Sequence, residues 1–392
     1  DYEVMPWPER IYTHPYKIAG TNQSTLIPRP YSTQMQIMVN ALNNMPLTKN
    51  KISGSGGIGV LMCNSLMFQR FPTHNGFEDP RFSNFYGQTF PLLKAGVPVE
   101  TVHLENLAYP ETLKGLKVLI LSYSNMKPMN ADMHRYLAEW VKKGGVLVYC
   151  GRDDDPYQNV TEWWNTNGNH FKTPAEQLFQ LLNIQPVSDD QKFSTGKGTV
   201  YLLRKNPKEF VMEEGGSYRF TSIIREAFEK DAKAGKLVYK NNFYLQRGAY
   251  DIVSVMEESI SNEPFVVKGP VIDLFDPQLP LLDKKTVQPG QQAFLYNLTR
   301  VADKKHPSVL ASASRIYDEL VKNNSYSFIS KSPAKTTNSM RVLLPAAPKA
   351  IMLSDHTGAA LKEVTKTWDA GSQTLYLSFE NNPEGTTIKL SW

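Results

Sequence analysis

The densest group of side chains capable of chemistry follows an apolar run that ends at Cys150. Arg152 precedes three consecutive carboxylates, and the same long loop carries two adjacent tryptophans and a histidine: Asp153, Asp154, Asp155, Trp163, Trp164 and His170. Indole faces can stack on sugar rings, and carboxylates can bind sugar hydroxyls or a cation. Loops beyond about 15 residues are often functional. Two interpretations remain open: a sugar-facing loop, or a packing loop whose tryptophans bury against another domain or subunit.

Short apolar strand patterns alternate with helix-period segments around this loop. The patterns are Ile58–Cys63 (IGVLMC), Val97–Val102 (VPVETV), Lys117–Ser122 (KVLILS), Gly145–Cys150 (GVLVYC) and Gly198–Leu203 (GTVYLL). This alternation is typical of a parallel sheet with helices on both faces. Ligands of such sheets bind beyond the carboxyl ends of the strands. The loop after Cys150 lies at such an end, as do Asn64, Ser65, His103, Ser124 and Asn125.

The two cysteines, Cys63 and Cys150, raise the alternative of an active cysteine hydrolase or amidotransferase. That chemistry needs a thiolate on a strained elbow with a histidine partner. Cys63 has no glycine-rich elbow. Cys150 precedes Gly151, but no His-x-Glu partner lies near Gly198–Leu203. Both are predicted to be buried free thiols in neighbouring strands. The histidines are scattered without metal spacing, so neither a metal site nor a cofactor is expected.

The pattern changes at about residue 236, where alternating strands and frequent turn signals favour a β-sandwich. One helix-like interruption is expected at Ala311–Val321. The predicted fold class is α/β plus β: a flavodoxin-like parallel sheet followed by an antiparallel β-sandwich. The predicted domains are 1–56 (an extended segment and a helix at Thr33–Leu47), 57–235 (the α/β domain) and 236–392 (the β-sandwich).

Composition is that of a globular protein. The 392 residues are 41% hydrophobic and 21% charged, and the net charge of +5 is spread along the chain. No block of like charge indicates nucleic acid as a partner. No apolar run approaches the roughly 20 residues of a membrane helix, so no membrane association is expected. The first residue, Asp1, is neither a Met nor the start of a signal peptide, as in a processed chain or a piece of a longer one. With an aromatic content of 11%, this favours a secreted or periplasmic bacterial protein.

Four segments resemble the trimerisation domain of family 42 glycoside hydrolases, the β-galactosidases. They are Gly59–Asn64 (GVLMCN), Tyr86–Val102 (YGQTFPLLKAGVPVETV), Leu116–Ser122 (LKVLILS) and Leu137–Gly151 (LAEWVKKGGVLVYCG). In that family the domain has a class I amidotransferase-like fold without the amidotransferase chemistry. It follows a catalytic (β/α)8 barrel and precedes a small β domain. The resemblance implies that residues 1–50 look like the end of a barrel, with Glu3 as the candidate nucleophile by position.

The resemblance implies the C-terminal, accessory portion of an exported glycoside hydrolase. It would serve assembly as a homo-oligomer, for example a trimer, and shape a carbohydrate site. The chain alone is expected not to hydrolyse glycosides. The substrate-binding residues would be Arg152, Asp153, Asp154, Asp155, Trp163, Trp164 and His170. The alternative is a stand-alone carbohydrate-binding or assembly protein with the two tryptophans as its platform.

Overall fold

The computed structural model describes residues 15–17, 20–22, 24–26, 28–48, 50–68, 82–124 and 126–392. The chain forms two compact units. The α/β unit comprises Ser53–Phe243 and Met256–Asn262. The β unit comprises the chain up to Ile52, Tyr244–Val255 and Glu263–Trp392.

The strands of the described residues are β1 (Pro15–Lys17), β2 (Ser24–Leu26), β3 (Lys51–Ile52), β4 (Ile58–Met62), β5 (Glu100–His103), β6 (Val118–Leu121), β7 (Val146–Cys150), β8 (Gln191–Thr195), β9 (Gly198–Leu203), β10 (Asn242–Arg247), β11 (Tyr250–Val255), β12 (Phe265–Asp273), β13 (Leu281–Val287), β14 (Gln292–Asn297), β15 (Ser308–Ser312), β16 (Arg315–Lys322), β17 (Ser325–Lys331), β18 (Thr337–Leu343), β19 (Ala350–Asp355), β20 (Val364–Asp369), β21 (Thr374–Glu380) and β22 (Thr386–Ser391). The α-helices are α1 (Arg29–Asn44), α2 (Ser65–Phe68), α3 (Ser83–Lys94), α4 (Asp132–Lys142), α5 (Pro174–Leu182), α6 (Glu209–Met212) and α7 (Gly216–Glu226). Every helix among these residues is too short or too polar to span a bilayer.

The α/β unit is built on a six-stranded sheet with the order β5-β4-β6-β7-β9-β8. All neighbouring strands are parallel except β8, which pairs antiparallel with β9 at the edge. Successive side chains of a strand point to opposite faces. Val118 and Ile120 of β6 accordingly enter one core cluster, and Leu119 and Leu121 enter the other. The predicted parallel sheet with two covered faces is confirmed.

Helix α4 forms because its apolar side chains recur at helical spacing. Met133, Leu137 and Val141 lie four residues apart and are buried against the sheet. The Oδ1 of Asn130 accepts from the backbone N–H of Asp132 at 3.1 Å just before the first turn. The first turn of this helix lies beside the carboxyl end of β6, since His134 bonds with the hydroxyl of Tyr123.

The β unit contains three sheets among its described residues apart from the small β1–β2 pair. One has the order β13-β12-β14-β11-β10-β3, and the two four-stranded sheets have the orders β15-β18-β21-β20 and β16-β17-β22-β19. The four-stranded sheets share one core, to which each contributes alternate residues such as Met340, Leu377, Phe328 and Ile388. The chain is therefore α/β plus β, with a sandwich at its C-terminal end.

The structure differs from the sequence prediction at residues 311–321, in the place of helix α1 and in the arrangement of the two cysteines. Residues 311–321 are not helical: they complete β15 and form β16, because β15 pairs with β18 and β16 pairs with β17. Helix α1 belongs to the β unit instead of a separate 1–56 segment, since Ile37 and Ala41 are buried in the core of that unit. The two cysteines do not lie in neighbouring strands, because β6 separates β4 from β7.

Candidate functional site at the carboxyl edge of the sheet

The carboxyl ends of β4, β6, β7 and β9 meet at one edge of the α/β sheet, as the topology requires. The side chain of Ser124, after β6, donates to the Oδ1 of Asn206 at 2.8 Å. The backbone N–H of Arg152, after β7, donates to the same oxygen at 3.3 Å. The Asn206 side chain, after β9, thus connects the segments that follow β6 and β7.

A buried ion pair lies at the centre of this edge. Lys127 follows β6, and its Nζ lies 3.0 Å and 3.1 Å from the two carboxylate oxygens of Asp155. The ammonium also donates to the carbonyl of Tyr123, and Asp155 accepts from the N–H of Tyr157 and from Gln158. Burial lowers the pKa of Lys127, and the carboxylate of Asp155 opposes that shift. These contacts pair the two charges with each other. Asp155 is therefore a structural residue of the protein interior.

Asp153 is held by a second set of contacts. The hydroxyl of Tyr149 donates to its Oδ1, and Nη1 of Arg204 donates to its Oδ2 at 3.2 Å. The carboxylate is buried, with 6% of its side chain exposed, and burial raises its pKa against the lowering effects of Tyr149 and Arg204. The backbone of Asp153 has a φ of 57°, in the left-handed region, which turns the chain sharply after Gly151.

The outer rim of the site consists of exposed groups. Arg152 makes a two-pronged ion pair with Glu209, with N–O distances of 2.7 Å and 2.6 Å. Hydrogen bonding by Glu209 raises the pKa of Arg152. Asp154 and His170 are exposed. Arg152, Asp154 and His170 are thus the predicted ligand-binding residues whose side chains face solvent, apart from the partly exposed Trp163.

Both adjacent tryptophans pack against the protein, Trp164 within its own loop and Trp163 against the loop after β6. Trp164 is 1% exposed, and its Nε1 donates to the carbonyl of Gln158 at 3.0 Å. Trp163 is half-buried, and its Nε1 donates to the carbonyl of Pro128 at 2.9 Å. The two rings meet edge to face at 90°. The indoles therefore do not form a parallel stacking platform, and only Trp163 keeps part of its surface in solvent.

Both thiols are buried and free. Burial raises the pKa of Cys63 to about 12 and raises that of Cys150 as well. The Sγ of Cys63 donates to the carbonyl of Lys127 at 3.0 Å and lies 3.3 Å from the hydroxyl of Ser65. No hydrogen bond joins either thiol to a histidine within the described ranges. Such thiols are protonated at neutral pH, which disfavours nucleophilic chemistry.

The predicted residues Arg152, Asp153, Asp154 and Asp155 do meet at one edge, but their partners were not predicted. Those partners are Lys127, Tyr149, Arg204, Asn206 and Glu209. The described ranges contain no group of three or more His, Cys, Asp or Glu side chains that could hold a metal ion. Glu3 and Asn125 lie outside the described residues.

Comparison with known proteins gives matches only at the level of structure. No protein-family model matches the sequence. No curated protein matches it either.

The structural matches include β-galactosidases and, with a TM-score of 0.19, a GH31 dextranase from Flavobacterium johnsoniae. A β-galactosidase from Bacillus circulans sp. alkalophilus has 10% identity and a TM-score of 0.38, with 67% of this chain and 43% of that chain covered. A catalytic mutant of a GH42 β-galactosidase from G. stearothermophilus has 14% identity and a TM-score of 0.37, covering 61% and 40%. The enzyme from Rahnella sp. R3 has 11% identity and a TM-score of 0.36, covering 62% and 41%.

Family 42 β-galactosidases are thus among the solved structures that this chain resembles. This chain spans about 40% of the length of the β-galactosidases that it matches. At these TM-scores and identities, the similarity by itself assigns neither activity nor substrate.

Proposed function

We propose that this chain is a non-catalytic, C-terminal accessory portion of a larger glycoside hydrolase, with the α/β unit serving assembly. The observation that supports the proposal most is that the buried carboxylates at the carboxyl edge are paired with cations of the same chain. Asp155 is neutralised by Lys127 and Asp153 by Arg204, so neither is available as an acid or a base. Glycoside hydrolysis needs a pair of available carboxylates about 5 to 10 Å apart. The edge instead stabilises the loop that follows β7.

The α/β unit is further proposed to be flavodoxin-like, in its amidotransferase-like variant. Counted along the chain, its parallel strands have the spatial order 2-1-3-4-5. That order is the one found in flavodoxin-like folds. Since Cys63 and Cys150 are buried with raised pKa values, the unit would retain the architecture without the amidotransferase chemistry.

An exposed apolar surface on the α/β unit supports the assembly role. We define the α3–α7 surface by Tyr86, Phe90, Val211, Met212 and Tyr218, which lie on contacting helices and are 39% to 81% exposed. The rings of Tyr86 and Phe90 stack with centroids 4.8 Å apart. Large exposed apolar areas are typical of protein interfaces.

Close packing fixes this surface. A Cβ on Gly87 would lie 2.2 Å from the carbonyl oxygen of Pro207. Helix α3 can therefore approach the segment before α6 only because residue 87 is a glycine. We propose a second copy of the chain as the occupant, in a homo-oligomer such as a trimer.

The proposed partners are thus carbohydrate and further copies of the chain, in an exported protein that is secreted or periplasmic. The alternative of a stand-alone carbohydrate-binding protein depends on Trp163, whose partly exposed ring could contact a sugar at its edge. The alternative of a cysteine enzyme is disfavoured by the buried thiols.

Two measurements on the isolated chain test the proposal. We expect no turnover of aryl β-glycosides, and association above the monomer by light scattering at micromolar concentration. Clear glycoside turnover would refute the accessory role. Native alkylation of Cys63 and Cys150 should be slow, and an activity that alkylation abolishes would favour the cysteine enzyme.

A further inference from the structure

A cleft of about 750 Å³ opens in the β unit. Its floor is the outer face of strands β18, β21 and β20. Its walls are the first turn of α1 and the segment Pro277–Leu281. Clefts of this volume bind ligands the size of a few sugar rings.

Strand register arranges the floor in rows. Arg341, Tyr376 and Thr367 lie side by side across the three strands. Ser339, Ser378 and Thr365 form the next row. The intervening residues of β18 and β21, such as Met340 and Leu377, point into the sandwich core. The floor therefore offers hydroxyl groups around one aromatic ring.

Arg341 is the notable member of the floor, because it is buried without an ion pair. Only 9% of the residue is exposed. Its Nε donates to the carbonyl of Leu279 at 2.9 Å, and its guanidinium lies 5.1 Å from the centroid of the Tyr376 ring. Among the described residues Arg341 forms no ion pair within 4.0 Å, and its Nη1 donates to the hydroxyl of Thr374 at 3.5 Å. Since burial of an uncompensated charge is costly, such a cation indicates an anionic ligand.

The other charged groups of the cleft also favour an anionic ligand. Asp369 attracts Arg341, but its Oδ1 already accepts from the N–H and the hydroxyl of Ser372, both at 2.7 Å. Arg29 lies at the mouth, in an exposed pair with Glu380 at 3.6 Å. The lining thus holds two cations and one carboxylate, Arg29 and Arg341 against Asp369. The first turn of α1 has no acidic residue, so its positive dipole end adds to this field.

We propose that this cleft binds a carboxylate-bearing saccharide. The carboxylate pairs with Arg341 and Arg29, and the sugar hydroxyls bond with the hydroxyls of Thr365, Thr367 and Ser378 on the floor. A simple anion would leave most of the cleft unused, and a neutral sugar would leave Arg341 unpaired. The inference depends on the β unit alone. It can therefore be tested independently of the proposed assembly role of the α/β unit.

Calorimetry with the full chain tests the inference, with trigalacturonate as the acidic probe and galactotriose as its neutral counterpart. We expect trigalacturonate to bind at least about tenfold more tightly, because one charged contact is worth about 1.5 to 3 kcal/mol. Thr367→Asp places a carboxylate on the exposed floor without disturbing the core. It should weaken trigalacturonate binding about tenfold, because the new carboxylate repels that of the probe.

Arg341→Met should abolish the preference for the acidic probe. Arg315→Met, an exposed arginine on β16 of the opposite sheet, is the matched control and should change nothing. Equal affinities for the two probes, an unaltered Thr367→Asp variant, or no binding at millimolar concentration would each overturn the inference. Competition by acetate at the same concentration as trigalacturonate would overturn the saccharide part.

Discussion

The ammonium nitrogen of Lys127 and the carboxylate of Asp155 are 3.0 Å apart, and both side chains are more than nine-tenths buried. The pair joins the loop after β6 to the loop after β7. Those loops carry most of the polar groups at the carboxyl edge. The ion pair with Lys127 therefore explains how the Asp155 carboxylate can be buried.

Replacing Lys127 by Met should destabilise the α/β unit by about 3 to 5 kcal/mol, because Asp155 would remain buried without its cation. The measurement is the free energy of unfolding from a urea transition. Tryptophan fluorescence reports the transition, because Trp163 and Trp164 lie in the same loop as Asp155.

Lys114→Met is the matched control for that variant. Lys114 pairs with Glu111 at 3.0 Å, but 74% and 79% of these side chains are exposed. Its loss should cost less than about 1 kcal/mol. Equal effects of the two substitutions would contradict a structural role for the buried pair.

His134 should make the stability of the α/β unit depend on pH. Its ring bonds with the hydroxyl of Tyr123 and with Oε1 of Gln177, each at 2.6 Å, and burial lowers its pKa to about 4. The unfolded imidazole takes up a proton below about pH 6.5, whereas the folded one does not until about pH 4. This contribution is complete above pH 6.5 and decreases as the pH falls.

The loss should reach about 3 kcal/mol at pH 4, at about 1.4 kcal/mol per pH unit. Urea transitions at intervals between pH 7 and pH 4 measure it. Carboxylates also titrate in this range, so the difference between wild type and His134→Gln isolates the histidine. A constant difference across the range would show that His134 does not titrate in this way.

The sheet could be predicted from sequence because its strands are buried on both faces and read as apolar runs such as Val118–Leu121. Strand β8 was missed because it is an edge strand with a polar, half-exposed pattern. The segment 311–321 was misassigned for a related reason. Its spacing of Ile316, Leu320 and Val321 imitates a helix, and only pairing with β17 makes it a strand.

The candidate site was predictable only in part. Topology placed Arg152 to Asp155 at the carboxyl edge, but local sequence does not indicate which cation each carboxylate meets. Lys127 and Arg204 are 28 and 51 residues from their partners. The floor of the β-unit cleft was not predicted at all. Its only signal is the polar alternation of Thr337, Ser339 and Arg341, which is also typical of a solvent-facing strand.

Trp164 should act as a core residue of its loop. Trp164→Ala should cost about 3 to 5 kcal/mol of unfolding free energy, as is usual for a fully buried aromatic side chain. Trp164→Phe keeps most of the ring but leaves the carbonyl of Gln158 without its donor, which should cost about 1 to 3 kcal/mol. Trp163→Ala should cost less than Trp164→Ala, since Trp163 is half-buried. The same urea transition measures all three.

Sugar binding by Trp163 distinguishes the accessory role from the stand-alone carbohydrate-binding hypothesis. If Trp163 is a sugar platform, Trp163→Ala should lose oligosaccharide binding while remaining folded. If the loop only packs, the affinity should be unaltered. Calorimetry with the probes used for the β-unit cleft distinguishes these outcomes.

The α3–α7 surface should mediate association between copies. Met212 is 81% exposed and Phe90 is 42% exposed. A Phe90→Glu/Met212→Glu double variant would bury charges in the contact between copies, which costs several kcal/mol. We expect light scattering at micromolar concentration to show an oligomer for the wild type and a monomer for the variant.

Met352→Glu is the matched control, because Met352 is 60% exposed on β19 of the β unit. It adds the same charge in place of the same side chain, so general solubility effects are common to both proteins, and it should remain an oligomer. Dissociation by Met352→Glu alone would place the contact on the sandwich. A wild-type monomer would contradict the assembly role, whereas the binding of trigalacturonate to the β unit could still be tested on that monomer.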